Sequence, residues 1–276
     1  MTAVMDERAA AISPPVARRR VARQVRAMRE QARLTLDDAA PRLDLTRSSL
    51  HRVEVGQTQI SVHLARSMMD VYDQHMPDLL DTIRASRTRG WWHDYHAEDL
   101  EFVAWEAGAS HVREWAVTRV PELLQTEDYA RTLLPDTDHL ADEMAVRRMR
   151  QRRLVDEHNS LALTAVVHES ALRNQVGGYE VMRAQLHNLA GRTAWPTVTI
   201  RVVPAMAGAH INSSGFQILD FDHPDDLPVM YAEFPGGALR EEGAQSVATT
   251  RQIFDNACAV ALSREDSRTF ITQLTR

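Results

Sequence analysis

The stretch from Thr35 to Gly56, TLDDAAPRLDLTRSSLHRVEVG, constrains the fold of this chain most, because it holds two helix starts and one helix stop. Thr35 followed by Asp38 reads as an N-cap with an acidic third residue, a weaker form of the capping box. Ala39, Ala40 and Leu43 supply a short apolar face. Asp44 takes a turn conformation better than most residues. Thr46 reads as a second N-cap, and the helix it opens, 47–55, stops at Gly56. Two short capped helices joined by a turn of about three to four residues form a helix-turn-helix. The second helix has one thin apolar stripe, Leu50 and Val53, surrounded by Arg47, Ser48, Ser49, His51 and Arg52. A stripe that thin leaves most of the helix facing something other than its own core.

Helical spacing continues on both sides. From about Arg18 a helix is expected in which Val21, Val25, Met28 and Ala32 recur, with Arg18, Arg19, Arg20, Arg23, Arg26 and Arg29 around them. A fourth helix follows Ser61, with Leu64, Met68 and Val71 inward, and Pro77 opens a fifth through Leu79, Leu80 and Ile83. These five helices predict a compact all-α domain over residues 16–88. Residues 1–15, ending in Ser13-Pro14-Pro15, read as a disordered tail.

The pattern changes at RASRTRGWWHDY, residues 84–95. Beyond it, residues 112–121, 161–169, 197–204, 215–221 and 228–234 are rich in Val, Ile, Thr and aromatics and read as strands. Residues 122–134, 140–157, 178–193, 243–261 and 263–275 read as helices. This order predicts an α+β domain over residues 91–276.

Charge divides in the same place. The net charge is −6, but residues 1–90 hold 15 arginines against 11 acids, or +4, and the remainder holds 17 against 27, or −10. Such asymmetry points to a nucleic-acid-binding segment on an acidic protein. Every basic residue among Lys and Arg is Arg. Phosphate contacts must therefore come from guanidinium groups, which suit bidentate contacts. Codon bias in a GC-rich genome explains the absence of Lys without any such function.

On this geometry the base-contacting candidates are Arg47, Ser48 and Arg52. Arg pairs bidentately with guanine O6 and N7, and Ser serves several bases or a phosphate. Thr35, Thr46, Ser49, His51, Gln57 and Thr58 are candidates for backbone or additional contacts, through side chains or N–H groups. A helical interaction domain with a solvated Arg/Ser face fits the same spacing.

REQARLTLDDAAPRLDLTRSSLHRVEVGQT resembles the Xre-type (Cro/repressor-like) helix-turn-helix family, in the Leu-Thr before the first helix, the Ala-Ala within it and TRSSLHRVEVG. The resemblance implies base-facing roles for Arg47, Ser48 and Arg52. Leu36 stands where that family often has a phosphate-contacting Gln, Pro41 interrupts the first helix, and Asp44 replaces a common Gly. The later segments GWWHDY, VPELLQTEDYAR, RRMRQRRL, HESALRNQVGGYEVMRAQLHNLA and VTIRVVPAMAGAH with GFQILDF resemble the WhiJ-like regulators of actinobacteria. Those are Xre-type proteins with a C-terminal domain likened to antitoxins, often encoded beside a small partner protein. The resemblance implies a transcriptional regulator that binds a double-stranded DNA operator and has a small protein, encoded by a neighbouring gene, as partner. The alternative it leaves is an antitoxin-like protein acting mainly on that partner, with DNA binding secondary.

Other candidates are weaker. His93, Asp94, His96, Glu98 and Asp99 could be metal ligands, but no second cluster completes a set, and no metal or cofactor is expected. Ser213-Ser214-Gly215 lacks the nucleophile-elbow spacing. Cys258, the only cysteine, lies on an apolar helix face with Phe254 and Ala261 and reads as core. Gly177-Gly178 and Gly236-Gly237 read as turns. The arginines of VRRMRQRR, residues 146–153, fit a surface helix paired with Glu143, Asp156 and Glu157; an anionic ligand, an acidic partner or extra DNA contact also fit. No converging nucleophile, base or metal set is present, so an enzyme is not expected. No apolar run approaches the roughly 18 residues of a membrane span, the N-terminus has no signal-peptide h-region, and a lone cysteine fits a reducing compartment. A cytoplasmic regulator is expected, paired as a homodimer through residues 91–276.

Overall fold

The computed structural model describes residues 12–134, 136–207 and 214–275. The chain divides into two compact units, one ending at His93 and the other beginning at Asp94.

The first unit is helical: α1 (Pro14–Gln31), α2 (Leu36–Arg42), α3 (Arg47–Glu54), α4 (Val62–Tyr72) and α5 (Pro77–Ala85). α1 starts at Pro14, earlier than its apolar spacing indicated. Pro at the first helical position gives up an N–H that would have had no partner, and its fixed φ suits a helix start. Ser13, Pro14 and Pro15 therefore do not belong to a disordered tail, and Val16 and Ala17 are buried. The rest of that expected tail, residues 1–11, lies outside the described residues. Met28, Ala39, Leu50, Met68, Leu79 and Ile83 meet in one apolar core. Each large side chain there contributes about 1.5–3 kcal/mol by leaving water.

The second unit opens with α6 (Leu100–Glu106) and then forms a six-stranded mixed sheet, ordered β3-β2-β1-β4-β5-β6. The strands are β1 (His111–Ala116), β2 (Ala162–His168), β3 (Val198–Val203), β4 (Phe216–Asp220), β5 (Val229–Phe234) and β6 (Gly237–Glu241). β1, β2 and β3 run parallel. Parallel neighbours need crossovers. These are α7 (Glu127–Leu133) with α8 (Leu140–Arg152), then α9 (Glu169–Arg173) with α10 (Tyr179–Arg192). β4, β5 and β6 continue from β1 as an antiparallel meander. β6, α6 and α9 were not expected from the sequence. The chain reverses into β6 at Gly236, whose φ of +103° favours glycine.

α11 (Ala244–Val260) and α12 (Arg264–Gln273) follow the sheet. α11 covers one face, where Trp115, Val166, Phe216, Ile218 and Met230 pack against Val247, Phe254 and Ala257. Cys258 is half-buried beside that cluster. By strand alternation the opposite face of β1, β4 and β5 carries Glu114, Gln217, Tyr231 and Glu233. Among the described residues no helix is long and apolar enough to cross a membrane.

Candidate nucleic-acid interface

The two helices of the motif are set by their caps. Thr35 Oγ1 accepts from the Asp38 N–H at 3.2 Å, while Asp38 Oδ2 accepts from the Thr35 N–H at 3.1 Å and its hydroxyl at 2.6 Å. Those bonds lower the Asp38 carboxyl below its usual range. α2 is only seven residues long, with Pro41 inside its last turn. The chain then turns at Asp44, whose φ is +54°, and Leu45 N–H returns to Ala40 O at 2.9 Å. Thr46 Oγ1 accepts from the Ser49 N–H at 3.1 Å and opens α3. Gly56 at φ +76° reverses the chain, and the N–H groups of Gln57 and Thr58 both reach Arg52 O, at 2.9 and 3.2 Å. That satisfies a carbonyl that the helix end would otherwise leave unpaired.

α3 faces two ways. Leu50 and Val53 are buried. Glu54 lies on the same inward side and meets Arg29 of α1 through two parallel bonds, Nε to Oε1 at 2.7 Å and Nη2 to Oε2 at 2.8 Å. Arg29 Nη1 also donates to Leu34 O at 2.7 Å, fixing the approach to α2. The bond to Glu54 raises the Arg29 pKa. Burial, with Glu54 nearby, pushes the Tyr72 phenol up to about 12. This buried pair was not recognised in the sequence. The available signal was spacing: Arg29 follows Val25, and Glu54 follows Leu50, by four residues, so both extend an inward stripe.

The outward face of α3 brings together Arg47, Ser48, His51 and Arg52, all exposed. Ser49 is half-buried, and its hydroxyl accepts from Thr46 Oγ1 at 2.8 Å. The hydroxyls of Thr35 and Thr46 are thus already engaged in caps, although both residues are exposed. Gln57 and Thr58 are exposed just beyond the helix. Arg47 also has an acidic neighbour, Asp37 of α2, at 3.4 Å, with both side chains well exposed at 65% and 74%. A pair this open to water contributes little to stability, but it places a carboxylate at the edge of the basic face.

In the second unit three of the five arginines at 147–153 do not lie on the expected surface, while Arg148 and Arg152 are exposed and Arg148 meets Glu127 at 3.5 Å. Arg147, Arg150 and Arg153, three residues apart, all point inward and are buried. Arg150 clasps Glu106 with Nε and Nη2, each at 2.8 Å, and reaches Glu122 with Nη1 at 2.6 Å. Arg147 donates to Glu122 at 2.6 Å and to the Gln125 side chain. Arg153 caps the carbonyls of Glu106 and Ala109, both at 2.6 Å. Burial alone would raise the Glu122 carboxyl, but Arg150 and Arg147 hold it down at about 2. The partners come from α6 and from the turn at Glu122–Leu124, not from Glu143, Asp156 or Glu157. Among the described residues no group of three or more His, Cys, Asp or Glu is placed to hold a metal. Ser213 lies outside the described residues.

The architecture is that of a helix-turn-helix domain followed by an α+β unit. The comparisons agree: a model described as a helix-turn-helix domain matches residues 20–83. A model described as a domain of unknown function, DUF5753, matches residues 100–273, more than half of the chain, and the protein belongs to that family. No curated protein and no solved structure matches it.

Proposed function

We propose that this protein is a sequence-specific, DNA-binding transcriptional regulator of the Xre type, acting in the cytoplasm and not as an enzyme. The observation that carries this reading is the division of α3: Leu50 and Val53 fill the core while Arg47, Ser48, His51 and Arg52 stand exposed on one face. A helix held this way enters the major groove with its N-terminal residues at base edges. Arg47, Ser48 and Arg52 read bases. His51, Gln57 and Thr58 contact the backbone, and Thr35, Thr46 and Ser49, whose hydroxyls are occupied along with the N–H groups of Thr35 and Ser49, contribute by holding the helix ends. The +4 charge of residues 1–90 favours phosphate, and the −10 of the remainder disfavours it.

The second unit pairs two copies as a homodimer and receives a signal or a small protein encoded nearby, as the likeness to WhiJ-like actinobacterial regulators implies. One recognition helix covers few base pairs, each discriminating by about 1–3 kcal/mol. Two copies on one frame, with helices about 34 Å or a multiple apart, make the second contact intramolecular. Genome-wide footprinting of bound DNA tests the central reading: a recurrent two-fold motif is expected, and uniform occupancy would overturn it. Sedimentation of the full chain checks the dimer. Affinity purification from the native host checks the partner, and one dominant small protein with no DNA motif would favour the antitoxin-like alternative.

A further inference from the structure

The two edges of the six-stranded sheet are finished differently. At the β3 edge the outward backbone groups are taken. Val202 O accepts from the Leu262 N–H at 2.8 Å, the Val202 N–H donates to Ser267 Oγ at 2.9 Å, and Val198 O accepts from Arg264 Nη2 at 2.7 Å. α12 and the turn before it thus close that edge. β6 is the other edge, and Gly237, Ala238, Leu239 and Arg240 are exposed there. Its hairpin with β5 has Pro235 and Gly236 as turn residues, so Phe234 and Gly237 form a hydrogen-bonded pair, as do Ala232 with Leu239 and Met230 with Glu241. The N–H and C=O groups of Ala238 and Arg240 therefore point away from β5, and they have no partner among the described residues.

The usual protections of an open edge are missing from β6. It holds no proline, and its register with β5 is unbroken by a bulge. Its one basic side chain is turned back over the sheet: Arg240 lies over the Trp105 ring at 5.1 Å and pairs with Glu101 and Glu242. Phe234 and Leu239, on the α11 side of the sheet, are 55% and 45% exposed. The Phe234 ring leans over Gly237, toward the edge.

We propose that this edge pairs with β6 of a second copy, antiparallel about a two-fold axis at Leu239, so that two sheets become one. This rests on the homodimer reading and names the surface that carries it. The strand is self-complementary in that register. Ala238 of each copy meets Arg240 of the other, so the outward groups of both residues are bonded. An axis at Ala238 or at Arg240 would carry one outward residue past the end of the strand. At Arg240 it would also set like charges directly opposite, which destabilises a sheet. With the axis at Leu239, the two Leu239 side chains meet on the α11 side, and Phe234 of each copy reaches diagonally toward the other. On the opposite side Arg240 looks across the second copy's Ala238 to its Glu233, two strands or about 10 Å away, so opposite charges share the row.

Sedimentation and disulfide trapping of the full-length protein test this. The parent should sediment as a dimer. Leu239→Lys, at an exposed position, should raise the dissociation constant about tenfold or more, through like charges directly opposite and lost apolar contact. Leu239→Glu should do the same. An equimolar mixture of the two variants should regain the dimer, because the axis residue meets only its own counterpart, and that recovery excludes misfolding as the cause. In a Cys258→Ser background, Leu239→Cys should crosslink under mild oxidation, with Cα atoms about 4.5 Å apart, while Ala238→Cys, at about 7–8 Å, should not. A parent that stays monomeric, its edge left to another chain, would overturn the homodimer reading and this interface together. A dimeric parent whose Leu239→Lys and Leu239→Glu variants stay dimeric, or that crosslinks through Ala238→Cys and not through Leu239→Cys, would overturn the interface alone and leave the dimer to another face.

Discussion

α3 and α8 are both short arginine-bearing helices, yet they use arginine in opposite ways. In α3, Arg47 and Arg52 stand outward and the inward stripe is Leu50, Val53 and Glu54. In α8, Arg147 and Arg150 are the inward stripe, together with Met144 and Val146. The difference is set by what each stripe faces. Behind α3 lies an apolar core with one cation, Arg29, which takes Glu54. Behind α8 lie Glu106 and Glu122, which no apolar residue could satisfy. α3 carries two arginines in eight residues and α8 four in thirteen, a similar density; the partner carboxylates, distant in sequence, decide which way the charge points.

The strongest way to break that comparison is to truncate one arginine from each helix. Arg150→Ala leaves Glu106, 1% exposed, without its clasp. Breaking a buried pair by removing one partner costs about 3–5 kcal/mol, because the remaining charge is buried and uncompensated. Arg52→Ala should change stability by no more than about 0.5 kcal/mol, as exposed sites usually do. Denaturant unfolding followed by circular dichroism compares the two, and equal midpoints would show that α8 does not depend on its inward charges.

The carboxylates of the second unit sharpen the contrast through pH. Glu122, held at about 2, contributes stability that is full above its ordinary value of 4.5 and lost as pH falls from there toward 2. Glu114, pushed up to about 8, behaves oppositely: its contribution is full below 4.5 and lost as pH rises toward 8. Glu114→Gln should therefore make the unit more stable than the parent above pH 8, on the order of a few kcal/mol, with the gap closing toward pH 4.5. Thermal melts across pH 4–9 measure it. A constant gap across that range would mean that Glu114 is charged in the folded state.

How much of this was legible follows the same division between local and distant partners. Caps are local, so Thr35, Asp38, Asp44, Thr46 and Gly56 were readable, as were five strands with apolar residues in continuous runs. α6 was missed because seven residues give barely two turns, and its N-cap, Asp99, sits at φ +52°, an unusual start. β6 was missed because its residues are exposed on one edge, so no apolar alternation marks it. The start of α1 was missed because two prolines suggest a break, whereas at the first turn they suit a helix. The outward residues of α3 were legible because Leu50 and Val53 define its buried side. Asp37 was not, since its approach to Arg47 depends on how α2 meets α3. The inward course of the α8 arginines was hidden because Glu106 and Glu122 lie 44 and 28 residues away from Arg150.

DNA binding tests the outward half of the comparison. Arg47→Ala should lose about 1–3 kcal/mol on the specific site and little on random duplex, since base contacts carry discrimination. Electrophoretic mobility shifts with both duplexes decide it; equal losses on the two would make Arg47 a phosphate clamp. Raising salt should weaken binding to both, because released counterions drive the electrostatic part.

The smallest expected effect concerns Asp37, and it separates two roles for the same ion pair. The carboxylate is 3.4 Å from Arg47 Nε, at the edge of the face proposed to approach phosphates. It also lies in the first turn of α2, where a negative charge favours the helix by about 0.3–1 kcal/mol. Asp37→Asn keeps the shape and removes the charge. If the pair only neutralises Arg47, the variant should bind all DNA slightly more tightly, by less than about 1 kcal/mol, with the gain shrinking in high salt as exposed charge effects do. Stability should fall by less than about 1 kcal/mol through the lost first-turn charge. If Asp37 instead aims the guanidinium at a base, the specific site should lose affinity while random duplex gains it, because orientation matters only where a base is read. Fluorescence anisotropy on the two duplexes, at low and high salt, distinguishes these outcomes. A uniform, salt-sensitive gain is the result the exposed geometry favours, since a pair this open holds neither side chain tightly.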